Sequence, residues 1–208
     1  DWEEALSTDE PRLLRDPEAL RAWLAEAGVE PGDTVVSYCR PAGGNKDSGA
    51  TAMVLLAVDL DTGMRFVVDA VSEKGMKAPR MRDLMLEWTD RYPIYEWRVE
   101  SNGVQSQLIQ YNEEIIRALA LKGVRVNPHY TTGKNKWDPE FGVESMAPLF
   151  SANLVSIPWG NAQAAQRFQP MIEEFVAFPM GITSDLVMAF WFAELGIRDV
   201  LQRAHMPL

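Results

Sequence analysis

Two acidic residues stand where carboxylates can do chemistry. Glu100 closes the strand-like run Tyr95-Glu96-Trp97-Arg98-Val99 and is followed by Ser101-Asn102-Gly103, a sharp exit. Asp185 opens the very apolar helical run Leu186-Val187-Met188-Ala189-Phe190-Trp191-Phe192-Ala193. An acid at a strand end stands on rigid backbone beside an open crevice, and an acid at a helix start can cap the helix while pointing at the sheet. Such carboxylates suit hard divalent cations. Taken singly, each also has a plainer reading: Glu100 as a solvated strand-end acid, Asp185 as a helix N-terminal acid favoured by the dipole.

Other metal chemistries are poorly supplied. The single cysteine, Cys39, excludes an intramolecular disulfide and a cysteine-based zinc cluster, and His129 and His205 are too few for a histidine-rich site. Any bound metal therefore falls to carboxylates. Gly43-Gly44-Asn45-Lys46 lacks the spacing of a phosphate-cradling G-x-x-x-x-G-K-[ST] loop, so ATP hydrolysis is not expected of these residues. The formal charge of −10 and pI near 4.7 argue against a surface coated in basic residues, so nucleic-acid binding would need locally clustered cations or a partner.

The elements that must position these residues follow from the pattern. Asp16, Pro17 and Gly28 punctuate a helix over about Pro17 to Ala27. Three β-rich runs follow, Thr34 to Cys39, Thr51 to Val58 and Met64 to Val71. They are separated by the glycine-rich segment from Arg40 to Gly49 and by the hairpin-type turn Asp61-Thr62-Gly63. Then come a helix from Arg80 to Arg91, a strand from Tyr95 to Glu100, a helix from Val104 to Leu121 and a strand from Val124 to Asn127. The remainder is mostly helical around a short strand, Leu154 to Ile157. An antiparallel three-strand meander followed by alternating helix and strand predicts an α/β domain, a mixed sheet completed by parallel strands and flanked by helices. Residues 1–33 read as a helical lead-in and 34–208 as the domain itself. No apolar stretch is long enough for a membrane helix, and the start at Asp1 suggests a piece of a longer or processed chain.

Four segments in order, spread over roughly residues 34 to 197, carry a family resemblance. They are Val99-Glu100-Ser101-Asn102-Gly103, His129-Tyr130-Thr131-Thr132-Gly133-Lys134-Asn135-Lys136, Gly142-Val143-Glu144-Ser145-Met146-Ala147-Pro148-Leu149-Phe150, and Thr183 to Ala193. Together they resemble the C-terminal nuclease domain of tailed-phage terminase large subunits, which has the RNase H-like fold. The resemblance implies a metal-dependent endonuclease that cuts concatemeric double-stranded DNA with two Mg²⁺ or Mn²⁺ ions, one activating water and one stabilising the leaving oxygen. It implies Glu100 and Asp185 as metal ligands and catalytic acids. It also implies an ATPase domain N-terminal to this chain, a portal protein and a small terminase subunit as partners, and action at the procapsid in the host-cell cytoplasm rather than in the mature virion.

One position departs from the family. Where the family has an Asp after the first strand, Tyr38-Cys39-Arg40-Pro41-Ala42 has Arg40, and a guanidinium cannot ligate a metal. Asp47 is the nearest replacement acid, although Asn45-Lys46-Asp47-Ser48-Gly49 also reads as an ordinary turn. Thr131, Lys134 and Lys136 form a polar, basic loop suited to a DNA phosphate or simply to solvent, and His129 either faces the site or is structural. The alternatives are a catalytically inactive docking domain of the packaging motor, with a salt bridge in place of the metal site, and another RNase H-like nuclease such as a resolvase.

Overall fold

The computed structural model describes residues 35–40, 50–101, 106–159 and 162–204, with 35–40 and 106–112 described as backbone. The helix expected over Pro17 to Ala27, and Asp47, lie outside the described residues. Six strands form one mixed sheet: β1 (Val35–Arg40), β2 (Ala50–Val58), β3 (Arg65–Lys74), β4 (Ile94–Glu100), β5 (Arg125–His129) and β6 (Val155–Ser156). Their spatial order is β5-β4-β1-β2-β3-β6. β1–β2 and β2–β3 pair antiparallel, and β1–β4, β4–β5 and β3–β6 pair parallel. This is the expected meander extended by parallel strands.

Local chemistry explains the elements. β2 reads Ala-Thr-Ala-Met-Val-Leu-Leu-Ala-Val and is buried along its whole length, the near-continuous apolar pattern of a strand covered on both faces. The turn into β3 closes on Asp59, whose carboxylate accepts the Asp61 N–H at 2.9 Å, while Gly63 takes φ 71°, a left-handed value that favours glycine. The Thr62 hydroxyl also donates to Asp59 and holds its pKa below the usual carboxylate value. β5 runs through Pro128 to His129, two residues beyond the expected end at Asn127. Proline is tolerated there because β5 is an edge strand.

Helices cover both faces. α1 (Ala78–Arg91) packs on the face that carries Trp97: the Trp88 and Trp97 rings stack at 6.2 Å, and the Trp97 indole N–H donates to the Thr89 hydroxyl at 3.0 Å. α2 (Ser106–Leu121) lies between β4 and β5 in the chain. Two short helices, α3 (Gly133–Lys136) and α4 (Ala147–Ser151), flank a 3-10 turn over Val143–Met146. α5 (Ala162–Ala177) precedes α6 (Asp185–Ala204), which lies across β2 and β1 on the other face. Apolar on all sides through its first three turns, α6 is enclosed in the core, as such a pattern requires.

Beyond Asp185 at its start, the one charge in that stretch is paired. The carboxylate of Glu194, fully buried, accepts from Arg65 Nε at 3.0 Å and Nη2 at 2.8 Å, and from Arg198 Nε at 3.1 Å. Arg198 reaches on to Ser145 Oγ at 3.0 Å and to the carbonyls of Glu140 and Ser145. Removing one partner strands the others in a medium that cannot solvate them. Glu194→Ala is expected to lower the unfolding free energy by about 3–5 kcal/mol, measured by urea denaturation, and Glu194→Gln by less because it keeps one acceptor.

Candidate functional site

The site is built from three strand ends and one helix start at the same end of the sheet. In the parallel β1–β4 pair, Cys39 stands opposite Val99, so the next residues, Arg40 and Glu100, close their strands at the same level. On the other flank of β1, Arg40 pairs with Ala52 of β2. Two residues back along β2, the Ala50 N–H donates to Asp185 Oδ2 at 2.7 Å. β5 ends beside them, with His129 opposite Glu100 and the Ser101 N–H donating to the His129 carbonyl at 2.7 Å. The order across the sheet is therefore His129, Glu100, Arg40, and then the β2 terminus that holds Asp185.

Both acids are removed from solvent: Asp185 is 4% exposed and Glu100 9%. A buried carboxylate persists where donors reach it. Asp185 is held by the Ala50 N–H and begins α6, whose next free amides find an acceptor on another helix. Glu174 of α5 accepts the Leu186 N–H at 2.7 Å and the Val187 N–H at 3.3 Å. Burial pushes the Glu174 pKa up, and these hydrogen bonds together with Thr183 pull it down, with Asp185 adding a further push upward. Sequence reading missed Glu174, because an acid inside α5 caps α6 only once the two helices have packed.

His129 is placed beside Glu100 by register and is half-buried against aromatic rings. Its imidazole lies edge-on to Trp191 at 5.6 Å and to Phe192 at 4.7 Å, and Nε2 is buried without a hydrogen-bond partner. Burial, and then the Arg98 guanidinium, lower its pKa, which favours the neutral imidazole. Thr131, Lys134 and Lys136 lie on the segment leaving β5 rather than among the strand ends. Thr132 caps α3, accepting the Asn135 N–H at 3.2 Å while Asn135 Oδ1 accepts the Thr132 N–H at 2.7 Å. That reciprocal cap fixes the two lysines on one short turn.

A second polar group flanks Asp185. Asp69 on β3 is buried, takes the Tyr92 hydroxyl at 3.0 Å and the Ala70 N–H at 2.7 Å, and pairs with Arg167 of α5. Desolvation pushes its carboxyl upward and Arg167 opposes that. Between this group and Asp185 lies a cavity of about 440 Å³, bordered by Ser72, Lys74, Arg167, Glu174 and Thr183.

Among the described residues, no three His, Cys, Asp or Glu side chains come together in a way that could hold a metal ion. Glu100 and Asp185 supply two acids, and the strand between their anchor points ends in a cation-bearing residue. That donor set does not fit a two-ion centre, which draws on several carboxylates. No helix among the described residues is long and apolar enough to cross a membrane.

Solved structures share this architecture. The nuclease domain of the P22 large terminase superposes with a TM-score of 0.52 at 14% identity, covering 82% of this chain and 88% of its own. The nuclease domain of the large terminase subunit gp2 of bacterial virus Sf6 gives 0.50 at 11% identity, covering 97% and 100%. This chain has the fold of a large-terminase nuclease domain. A K428A form of the Sf6 domain, solved with calcium, matches equally, with a TM-score of 0.50 at 11% identity. No family model matches the sequence. No curated protein matches it either.

Asp185→Ala is expected to cost about 1–3 kcal/mol, since the buried Ala50 N–H loses its acceptor. Glu174→Ala should cost about 1–2 kcal/mol through the lost cap. Glu174→Gln should recover most of the latter in chemical denaturation.

Proposed function

We propose that this chain is the nuclease domain of a phage DNA-packaging terminase large subunit, and that Arg40 suppresses its cutting of double-stranded DNA. The observation that supports this reading is the register that sets Arg40 between Glu100 and the β2 terminus bound to Asp185. These are the strand end and helix start at which the family resemblance implies metal-binding acids, in a chain with the matching fold.

The chemistry follows from charge. When bound, a divalent ion would supply a Lewis acid and an activated water for phosphodiester hydrolysis. Glu100 and Asp185 are the carboxylates available to hold Mg²⁺ or Mn²⁺. An Asp at position 40 would add a third acid, whereas an Arg there offsets one of the two negative charges and removes one ligand. The chain's own residues still perform the remaining tasks of such a domain. The Thr132-capped turn, with Thr131 before it, presents Lys134 and Lys136 toward DNA phosphates, His129 closes β5 beside Glu100, and the buried α6 holds Asp185 on a rigid base. In this reading the ATPase is N-terminal, the portal protein and small subunit are the motor partners, and the work is done in the host cytoplasm.

Cutting of supercoiled plasmid in millimolar Mn²⁺ is expected to be weak or absent for the chain as it stands. Arg40→Asp should raise it by about 10²-fold or more, on the scale of restoring a transition-state charge stabiliser. Adding Glu100→Ala or Asp185→Asn to Arg40→Asp should abolish it. Vigorous cutting by the parent chain, unchanged by Arg40→Asp, would refute the role given to Arg40.

A further inference from the structure

The segment between β5 and the 3-10 turn is anchored far more tightly than an ordinary surface loop. The Trp191 indole N–H donates to the Phe141 carbonyl at 2.7 Å, and Arg198 donates to the Glu140 carbonyl at 3.2 Å, tying the segment to α6. The Asp138 carboxylate is turned back onto its own backbone, accepting the N–H groups of Glu140 at 2.9 Å and Phe141 at 3.0 Å. Gly142 packs so closely that a Cβ there would meet the Asp138 carbonyl oxygen at 2.4 Å and the Lys136 carbonyl oxygen at 2.5 Å.

On this rigid base, apolar groups face outward. Trp137 is 51% exposed, and its ring stacks on Phe178 of the α5–α6 connection at 5.9 Å with the planes 24° apart. The Lys136 ammonium sits 5.1 Å from the Trp137 ring centroid. Phe141, further along the same segment, is exposed, and Met180 on the α5–α6 connection is 91% exposed. Large apolar side chains held out on a fixed backbone mark a contact surface. Its position narrows the partner: Tyr130 directly follows His129, and Met180 lies five residues before Asp185, so both segments issue from the candidate site.

A flat aromatic pair with an ammonium at its face and a second lysine on the same helical turn matches a nucleobase and its phosphate. Stacking takes the base, and the cations take the backbone. Such a surface discriminates against a closed duplex, whose base faces are already covered. We infer that Trp137, supported by Phe178 and Lys136, is a base-stacking ledge that holds an unpaired nucleotide of the DNA beside the strand ends. The inference rests on the DNA-handling function proposed above and adds a requirement for a splayed or single-stranded segment.

Fluorescence anisotropy of the whole chain with a labelled single strand, a fork with unpaired ends, and a blunt duplex of the same sequence tests it. Trp137→Ala should weaken binding to the single strand and the fork by roughly tenfold, with little change on the blunt duplex. Trp137→Phe should keep most of the affinity, and Lys136→Ala should flatten the salt dependence by about one phosphate contact. Equal affinity of Trp137→Ala and parent on every substrate, or an equal loss on all three, would overturn the ledge while leaving the nuclease-domain reading standing. A change confined to self-association, read by sedimentation, would make the surface a protein contact and would also overturn it. Failure of the parent to bind any of the three DNAs would reject the nuclease-domain reading, and the ledge with it.

Discussion

Glu194 is a carboxylate with no access to water, and its pairing with Arg65 and Arg198 is the constraint on which the position of α6 depends. A helix apolar on every side gains by being enclosed, but burial alone leaves it free to slide or rotate over β1 and β2. A charge that must meet a guanidinium from the start of β3 removes that freedom, because any other register leaves it unpaired. With α6 fixed, Asp185 at its first turn falls on the Ala50 N–H, and Trp191 and Phe192 form the wall against which His129 rests. The same guanidinium network reaches Ser145 and Glu140, so the segment carrying Trp137 is fixed by the interaction that places the acid.

The polar pairs on β4 act in the same sense. Arg98 bonds Glu96 at 2.7 Å and pairs with Asp199 near the end of α6, and Asn127 of β5 donates to Glu96. These contacts connect the acid-bearing strand, the edge strand and the far end of the helix. Their combined effect is to hold two separately buried carboxylates, Glu100 and Asp185, on parts of the fold that cannot shift independently.

Much of the fold was legible in the residues. The three β-rich runs, the Asp-Thr-Gly turn and the alternation that follows carry the periodicities of the elements they form, so the meander and the parallel strands were visible before any contact was known. Glu100 and Asp185 were visible as acids at element ends, and Arg40 as a departure from the family resemblance. What sequence could not show depends on contacts across the chain. Glu174 looks like an ordinary helical acid, since its role as the cap of α6 exists only after α5 and α6 pack. Asp69 sits within an apolar strand with no local sign that Arg167, almost a hundred residues later, would pair with it. β5 was expected to stop before its proline, a rule that edge position relaxes.

The cap that α5 lends to α6 has a mechanical consequence. In most helices the residue that satisfies the first amides belongs to the same backbone, so the helix start carries its own support. Here the acceptor for Leu186 and Val187 is on a different element, thirteen residues upstream of Val187 and across a connection that also holds Phe178. Glu174 and Phe178 therefore tie α5 and the connection after it to the peptide group next to Asp185 and to the ring of Trp137. A substitution that displaced α5 would leave the first amides of α6 without their acceptor.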